Sequence, residues 1–476
     1  MPKPQNSTSL AGALTTLHRG LMPFVMFAGV TLIFVESVWL TIVANLALVV
    51  FLAMGWRRFS VGTWVPVLLS LATFALALWK GVSTEVLLDA LGRMLFLAAL
   101  ISMMGTLRSA AALAPEVIQA GTYLTGQPAS RRYIALTFGG HLFGVLINFG
   151  GLALLLDMAT RSMKSEASLN LPAAIREVKL KRMTLAIVRG FGLISLWSPL
   201  GFSANVILIT LPGLTYLDFG PVGFVMSFVF IAIGWSFDQV ERRRIGTVAV
   251  ARPKPPAGSW LGAVMLVGHV LALGLLIFVV HGIFPLSFQE GLMTLIPTYA
   301  FFWVIWSTRT APRAGLREAG KIVMQRLPNS AGEVGVFASA GFLSVMLLAL
   351  IPVESLRLII ADFGLGAISL ALCIVFGIVL MAFVGINPIV SASVLGAVAS
   401  QLAVPGLSDA AIAFSIIGGW TTVIGLSPFI TTIIFCAAII ERPPILIGLK
   451  WNRAYSLTIL TLWCAFLITL MLTGAV

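Results

Sequence analysis

The sequence predicts an all-α polytopic membrane protein with about 11 transmembrane helices plus two opposed re-entrant hairpins in an inverted repeat. Three observations predict it. Of 476 residues, 59% are apolar and 10% charged, and the mean hydropathy of +1.04 lies far outside soluble globular composition. Apolar runs of about 20 residues, the length that crosses a bilayer, recur along the chain. Two further apolar stretches, 133–160 and 366–402, fail a charge-parity test for through-going spans. The short alternating segments of a β-barrel are missing from the sequence.

Residues 1–20 are polar and read as a loose cytoplasmic tail. The first apolar run has no small-residue cleavage site after it, so it reads as an anchor and not a removed signal peptide. The candidate spans are 21–36, 38–55, 62–80, 89–107, 183–211, 220–240, 260–283, 289–308, 334–352, 408–440 and 454–474. Basic residues punctuate them in short loops. These are Arg57 and Arg58; Arg161, Lys164, Arg176, Lys179, Lys181 and Arg182; Arg242, Arg243, Arg244, Arg252 and Lys254; Arg309, Arg313, Arg317, Lys321 and Arg326; and Arg442, Lys450 and Arg453. The positive-inside rule puts all of them, and the N-terminus, in the cytoplasm of a cell with a bacterial-type inner membrane. The excess of 30 Lys+Arg over 17 Asp+Glu thus orients the chain in the lipid bilayer, and no nucleic-acid partner is needed to explain it.

The stretch 133–160 has Arg131 and Arg132 before it and Arg161 after it. Both ends are cytoplasmic, so the number of crossings is even. Two crossings need about 40 residues, and only 28 are present. The stretch should therefore enter the membrane, turn near Asn148-Phe149-Gly150-Gly151, and leave by the same face. Such a turn is tolerated only where protein or water surrounds it. The stretch 366–402 lies between an outward span and a cytoplasmic Arg442, with no Lys or Arg from 358 to 441. Span 408–440 supplies the odd crossing, so 366–402 makes zero or two. Its 37 residues are barely enough for two, and a central turn would carry "VGINPIVSAS" with no positive charge. It therefore reads as a second hairpin from the opposite face, with Gly385-Ile386-Asn387-Pro388 at its tip.

Each hairpin precedes a long span with a break in it. "WSPLG" at 197–201 carries Ser198, Pro199 and Gly201; "GLSP" at 425–428 carries Gly425, Ser427 and Pro428. Proline removes a helical N–H and clashes with the preceding turn, and glycine costs about 1 kcal/mol relative to alanine. The unit therefore occurs twice, as repeat 1 (21–240, hairpin 133–160, broken helix 183–211) and repeat 2 (260–476, hairpin 366–402, broken helix 408–440), joined by a cytoplasmic linker at 241–259. Opposed repeats with discontinuous helices meeting at the midplane are the architecture of secondary transporters.

The residues "INFGGLALLLDMA" (147–159), "WSPLGFSANVILITLPGLTYLDFG" (197–220), "VGINPIVSASVLGAV" (384–398) and "IGLSPFITTIIF" (424–435) resemble the ion transporter superfamily, which includes divalent-anion/sodium symporters and citrate carriers. The resemblance implies 11 spans, two opposed hairpins and a homodimer. It also implies Ser-Asn-Thr tips that bind sodium. Here the tips read Asn-Phe-Gly and Asn-Pro-Ile, so the asparagine matches and the flanking hydroxyls do not; Ser391 and Ser393 stand nearby in the second half.

The reading that follows is a secondary active transporter of a small organic, anionic solute, coupled to Na+ or H+ and working by an elevator-type motion. The expected solute- and ion-binding residues are Asn148, Phe149, Gly150, Gly151, Ser198, Pro199, Gly201, Ser203, Asn205, Asn387, Pro388, Ser391, Thr422, Gly425, Ser427, Pro428 and Thr431. Three ionisable residues are candidate proton or anion relays. Asp157, four residues before Arg161, is either a titrating carboxylate or a capping one. Arg189, about 10 Å into its span by helix rise, attracts an anion, pairs with Asp157 or snorkels. His141 is either a titrating or a packing histidine. Cys373, Cys436 and Cys464 lack metal-like spacing and read as packing residues, so neither metal nor cofactor is expected. A membrane-embedded enzyme would need a catalytic His/Asp/Glu cluster that the four histidines do not form. A passive channel would need polar rings along a pore.

Overall fold

The computed structural model describes residues 7–128, 131–163, 171–245 and 257–476. The predicted basic-loop residues Lys164, Arg252 and Lys254, residues 1–6 of the predicted tail and 246–256 of the predicted linker lie outside them. The described residues are helical with no strand, and nine helices among them are long and apolar enough to cross a membrane. The protein is thus an all-α polytopic membrane protein. The expected span at 289–308 forms helix Phe288–Ser307, which is not among those nine and is opened by a capping box in which Ser287 and Glu290 satisfy each other's backbone N–H. The first helix departs from expectation, running Ser7–Phe34. The polar-looking residues before 21 belong to that helix, and the Thr16 hydroxyl is satisfied within it by donating to the Gly12 carbonyl, at 3.0 Å.

The chain forms two compact units. One comprises residues 1–113 and 280–351. Within it, helix Ala331–Leu350 lies across helix Thr84–Ala111, and Gly341 permits the approach, since a Cβ there would sit 2.5 Å from the Arg93 carbonyl oxygen. Ala77, Ala90, Phe342, Met346 and Leu350 form a buried cluster in it. Because lipid is as apolar as these side chains, close packing and not water exclusion holds such helices together. Arg108 grips Glu333 with two bonds, at 3.2 and 3.0 Å.

The other unit comprises residues 114–279 and 352–476. Helices Arg132–Ile147 and Phe149–Met163 are joined by Asn148 alone. They fold back on each other: Gly151 meets Phe143, and Gly139 meets Leu155. Helices Ala367–Phe383 and Pro388–Leu402 repeat the motif, with Gly377 against Leu395 and the turn at Gly385, φ +91°. The first broken helix is Ala173–Gly192, a short turn Ile194–Trp197, then Phe202–Thr210. It begins about ten residues before the expected boundary. The second is Asp409–Ile424, then Thr431–Ile440.

The packing of these pieces recurs. The first arm of each hairpin lies along the first part of the broken helix that follows it. The second arm of each hairpin packs on the last part of the broken helix from the other half of the sequence: Phe149–Met163 on Thr431–Ile440, and Pro388–Leu402 on Phe202–Thr210.

Candidate solute and ion site

Asn148 is the joint of the first hairpin. Its backbone sits at φ +54° and ψ −131°, outside the left-handed helical region and in a conformation that glycine adopts more readily than any residue bearing a Cβ. Its N–H donates to the Gly144 carbonyl, and its own carbonyl accepts from Gly151 and Leu152. The side chain is buried, and its Oδ1 has no partner. Gly151 cannot carry a Cβ, which would lie 2.7 Å from the Phe143 carbonyl oxygen. Gly150 is exposed. Phe149 packs on Phe191 of the first broken helix, at 5.4 Å between ring centroids, and on Phe435 beyond the second break, at 5.9 Å.

At the first break, Ser198 N–H still reaches the Ile194 carbonyl, and Gly201 N–H reaches the Ser198 carbonyl. Pro199 forbids the next helical bond. Asn205 Nδ2 donates to the Pro199 carbonyl at 3.1 Å and to the Gly201 carbonyl, which also accepts the Asn205 backbone N–H, at 2.8 Å. Ser203 donates to the Ser195 carbonyl at 2.5 Å. The Ser198 hydroxyl and Asn205 Oδ1 are buried without partners.

The second half is differently satisfied. Asn387 caps its helix, Oδ1 accepting from Ile389 N–H at 3.0 Å, with Pro388 in the first turn, where no N–H is needed. Ser391 lies 3.5 Å from the Asn387 carbonyl, and Ser393 donates to Ile389. Ser427 donates to the Ala382 carbonyl at 2.7 Å and accepts from Phe429 N–H, which ties the second break to the second hairpin. Thr422 donates to Gly418 within its own helix. Pro428 is buried, whereas Thr431 at the head of the resumed helix is exposed.

The structure joins the two breaks through residues that the sequence did not single out. Ser195 and Thr421 share a hydrogen bond at 2.7 Å. Asn452 donates to the Gly425 carbonyl at 2.9 Å, and its Oδ1 accepts from Arg189 Nε at 2.8 Å. Phe191, Phe435, Tyr133 and Tyr455 also belong here.

The three relay candidates bond to other groups and not to one another. Asp157 pairs with Arg161 at 2.8 Å, half exposed. Arg189 therefore neither pairs with Asp157 nor snorkels. It is 6% exposed, bonded to Asn452, Tyr133 Oη and the Gly234 carbonyl, with Tyr455 4.4 Å from its guanidinium. Aromatic faces and neutral acceptors spread the charge that burial would otherwise penalise. His141 has both ring nitrogens occupied: Nε2 accepts from Trp197 Nε1 at 2.8 Å, and Nδ1 lies 3.3 Å from the Gly190 carbonyl. That pattern holds a neutral imidazole protonated at Nδ1. Among the described residues, no group of three or more His, Cys, Asp or Glu forms a metal-holding cluster.

No protein-family model matches the chain, and no curated protein does. Among solved structures the chain is similar to the crystal structure of the Alcanivorax borkumensis YdaH transporter, described as having an unusual topology. The TM-score is 0.57 at 16% identity, covering 82% of this chain and 88% of that one. At that identity the likeness is one of fold.

Proposed function

We propose that the chain is a secondary active transporter of a small organic anion, coupled to Na+ or H+. Membrane helices in the fold of a known transporter support this. The carrying observation is the convergence of two breaks and a hairpin tip from both sequence halves: Phe149 between Phe191 and Phe435, Ser195 on Thr421, and Asn452 on Gly425. A polar, unwound midplane built by discontinuous helices is what alternating access requires.

In this reading the halves are inverted repeats, and the hairpins re-enter the membrane from opposite faces. The protein works as an elevator-type homodimer of the ion transporter superfamily in a bacterial inner membrane, with a cytoplasmic N-terminus. Residues 114–279 and 352–476 form the moving part. Asn148, Ser198 and Asn205 supply the ligating oxygens, since among the expected binding residues theirs are the buried ones without partners. Ser203, Asn387, Ser427 and Thr422 hold the frame. Gly150 and Thr431 border the solute.

Counterflow in proteoliposomes tests the proposal: preloaded unlabelled organic anion drives transient accumulation of the labelled one. Equilibration without overshoot indicates a channel, and chemical conversion of the solute indicates an enzyme; either overturns it.

A further inference from the structure

A cavity of about 480 Å³ opens among helices Arg132–Ile147, Gly220–Ile245 and Trp260–Ile283 and the short turn ending at Trp197. Its walls include His141, Trp197, Phe224, Ser227, Val267 and Leu271. Three features bear on what fills it. The first is polarity. His141 and Trp197 bond to each other, Nδ1 of His141 faces the Gly190 carbonyl, and the Ser227 hydroxyl donates to the Phe224 carbonyl at 2.6 Å. The polar side-chain groups of these walls are therefore occupied. Water in a cavity needs two to four polar partners, and apolar cavities stay dry.

The second feature is the rim. Val264, Val267 and Leu271 are 54%, 45% and 67% exposed along one face of a membrane-spanning helix. The cavity is continuous with a surface that the bilayer wets with hydrocarbon. The third is shape: it is a recess and not a flat face, so hydrocarbon must enter it or leave its walls without contacts, at a loss of dispersion energy.

We infer that this cavity is a lipid site that takes one acyl chain of a bilayer phospholipid, lying against the Trp197 indole. Trp197 is the last residue before the Ser198-Pro199 break. Its carbonyl accepts from Tyr216 Oη at 2.6 Å, and Gly223 has no room for a Cβ against Leu196. The acyl chain thus completes the packing around the entry to the first break, on the side that the protein leaves open. The inference needs the chain to sit in a bilayer and is independent of whether it transports.

Quenching by brominated chains tests it. The protein is reconstituted in phosphatidylcholine with dibrominated acyl chains, and the Trp197 contribution is taken as wild type minus Trp197→Phe. The expected result is that more than half of this contribution is quenched, and that Val267→Phe, which fills the mouth, restores most of it. A contribution insensitive to brominated chains but quenched by aqueous iodide would overturn the inference in favour of a wet cavity. One insensitive to both, with Leu271→Cys forming a dimer disulfide, would overturn it in favour of a second copy. Should Trp197→Phe fail to fold, phosphatidylcholine carrying an acyl-chain diazirine replaces the measurement in the unmodified protein. Label on the peptide carrying Trp197 is expected, and its absence while lipid-facing peptides label refutes the site.

Discussion

Replacing Asn452 with alanine removes one amide that serves two helices. Arg189 Nε–H loses its 2.8 Å acceptor, and the Gly425 carbonyl loses its 2.9 Å donor. Both lie in a buried network, with Asn452 1% and Arg189 6% exposed. A hydrogen bond to a charged group contributes about 1.5–3 kcal/mol, and a buried polar atom left unpaired costs about 1–3 kcal/mol. The two losses share one side chain and do not add, so Asn452→Ala should destabilise by about 3 kcal/mol. Hydrogen bonds inside membranes average only about 0.6 kcal/mol by double-mutant cycles, because freed groups find other partners. The aromatic walls around Arg189 offer no such replacement. The assay is equilibrium unfolding by SDS in mixed micelles, with Asn452→Asp alongside. Aspartate keeps the acceptor and adds a counter-charge, so it should lose only about 1 kcal/mol, from Gly425. If both variants fall within about 0.5 kcal/mol of wild type, or if aspartate is as damaging as alanine, the guanidinium does not depend on this amide, and the reasoning fails.

Other outcomes follow from the same geometry. Gly190→Ala drives a Cβ into the Thr137 carbonyl, whereas Gly268→Ala meets open space. The same unfolding assay should give a loss above about 2 kcal/mol for the first and a neutral or stabilising change of up to about 1 kcal/mol for the second. Asn148→Gly keeps the positive φ and deletes the unpartnered oxygen, so folded protein should lose counterflow at least tenfold. Asn387→Ser, which retains a helix cap, should keep counterflow within about threefold. Glu177→Gln breaks the pair with Arg442, whose bonds run from 2.8 to 3.3 Å. Because the side chains are 39% and 36% exposed, the loss should stay below about 1 kcal/mol and shrink as salt is raised.

Much of the fold was legible because its signals are local. Arginines at both ends of a 28-residue apolar stretch, and Ser-Pro beside glycine, mark a turn and a break without knowledge of any neighbour. The helix ends near 148, 198, 387 and 427 fall where those residues put them. The start of the first helix was not legible, because a hydroxyl such as that of Thr16, which looks polar in sequence, can be satisfied inside a helix by the carbonyl four residues back. The cross-links were not legible either. Ser195 meets Thr421 and Arg189 meets Asn452 across more than 220 residues, and no periodicity encodes such a pairing. Asn452 stands in the sequence only as an amide between Lys450 and Arg453, with nothing local to mark its two distant partners.

Gly140 and Gly190 face the backbones of Ile187 and Thr137, carbonyl to bare Cα, with no side chain between. Surfaces that mesh this tightly leave no lubricating layer, so shear along that seam is blocked. The first arm of the hairpin and the leading half of the broken helix make up a single stiff strut, so a displacement of either one carries the other with it.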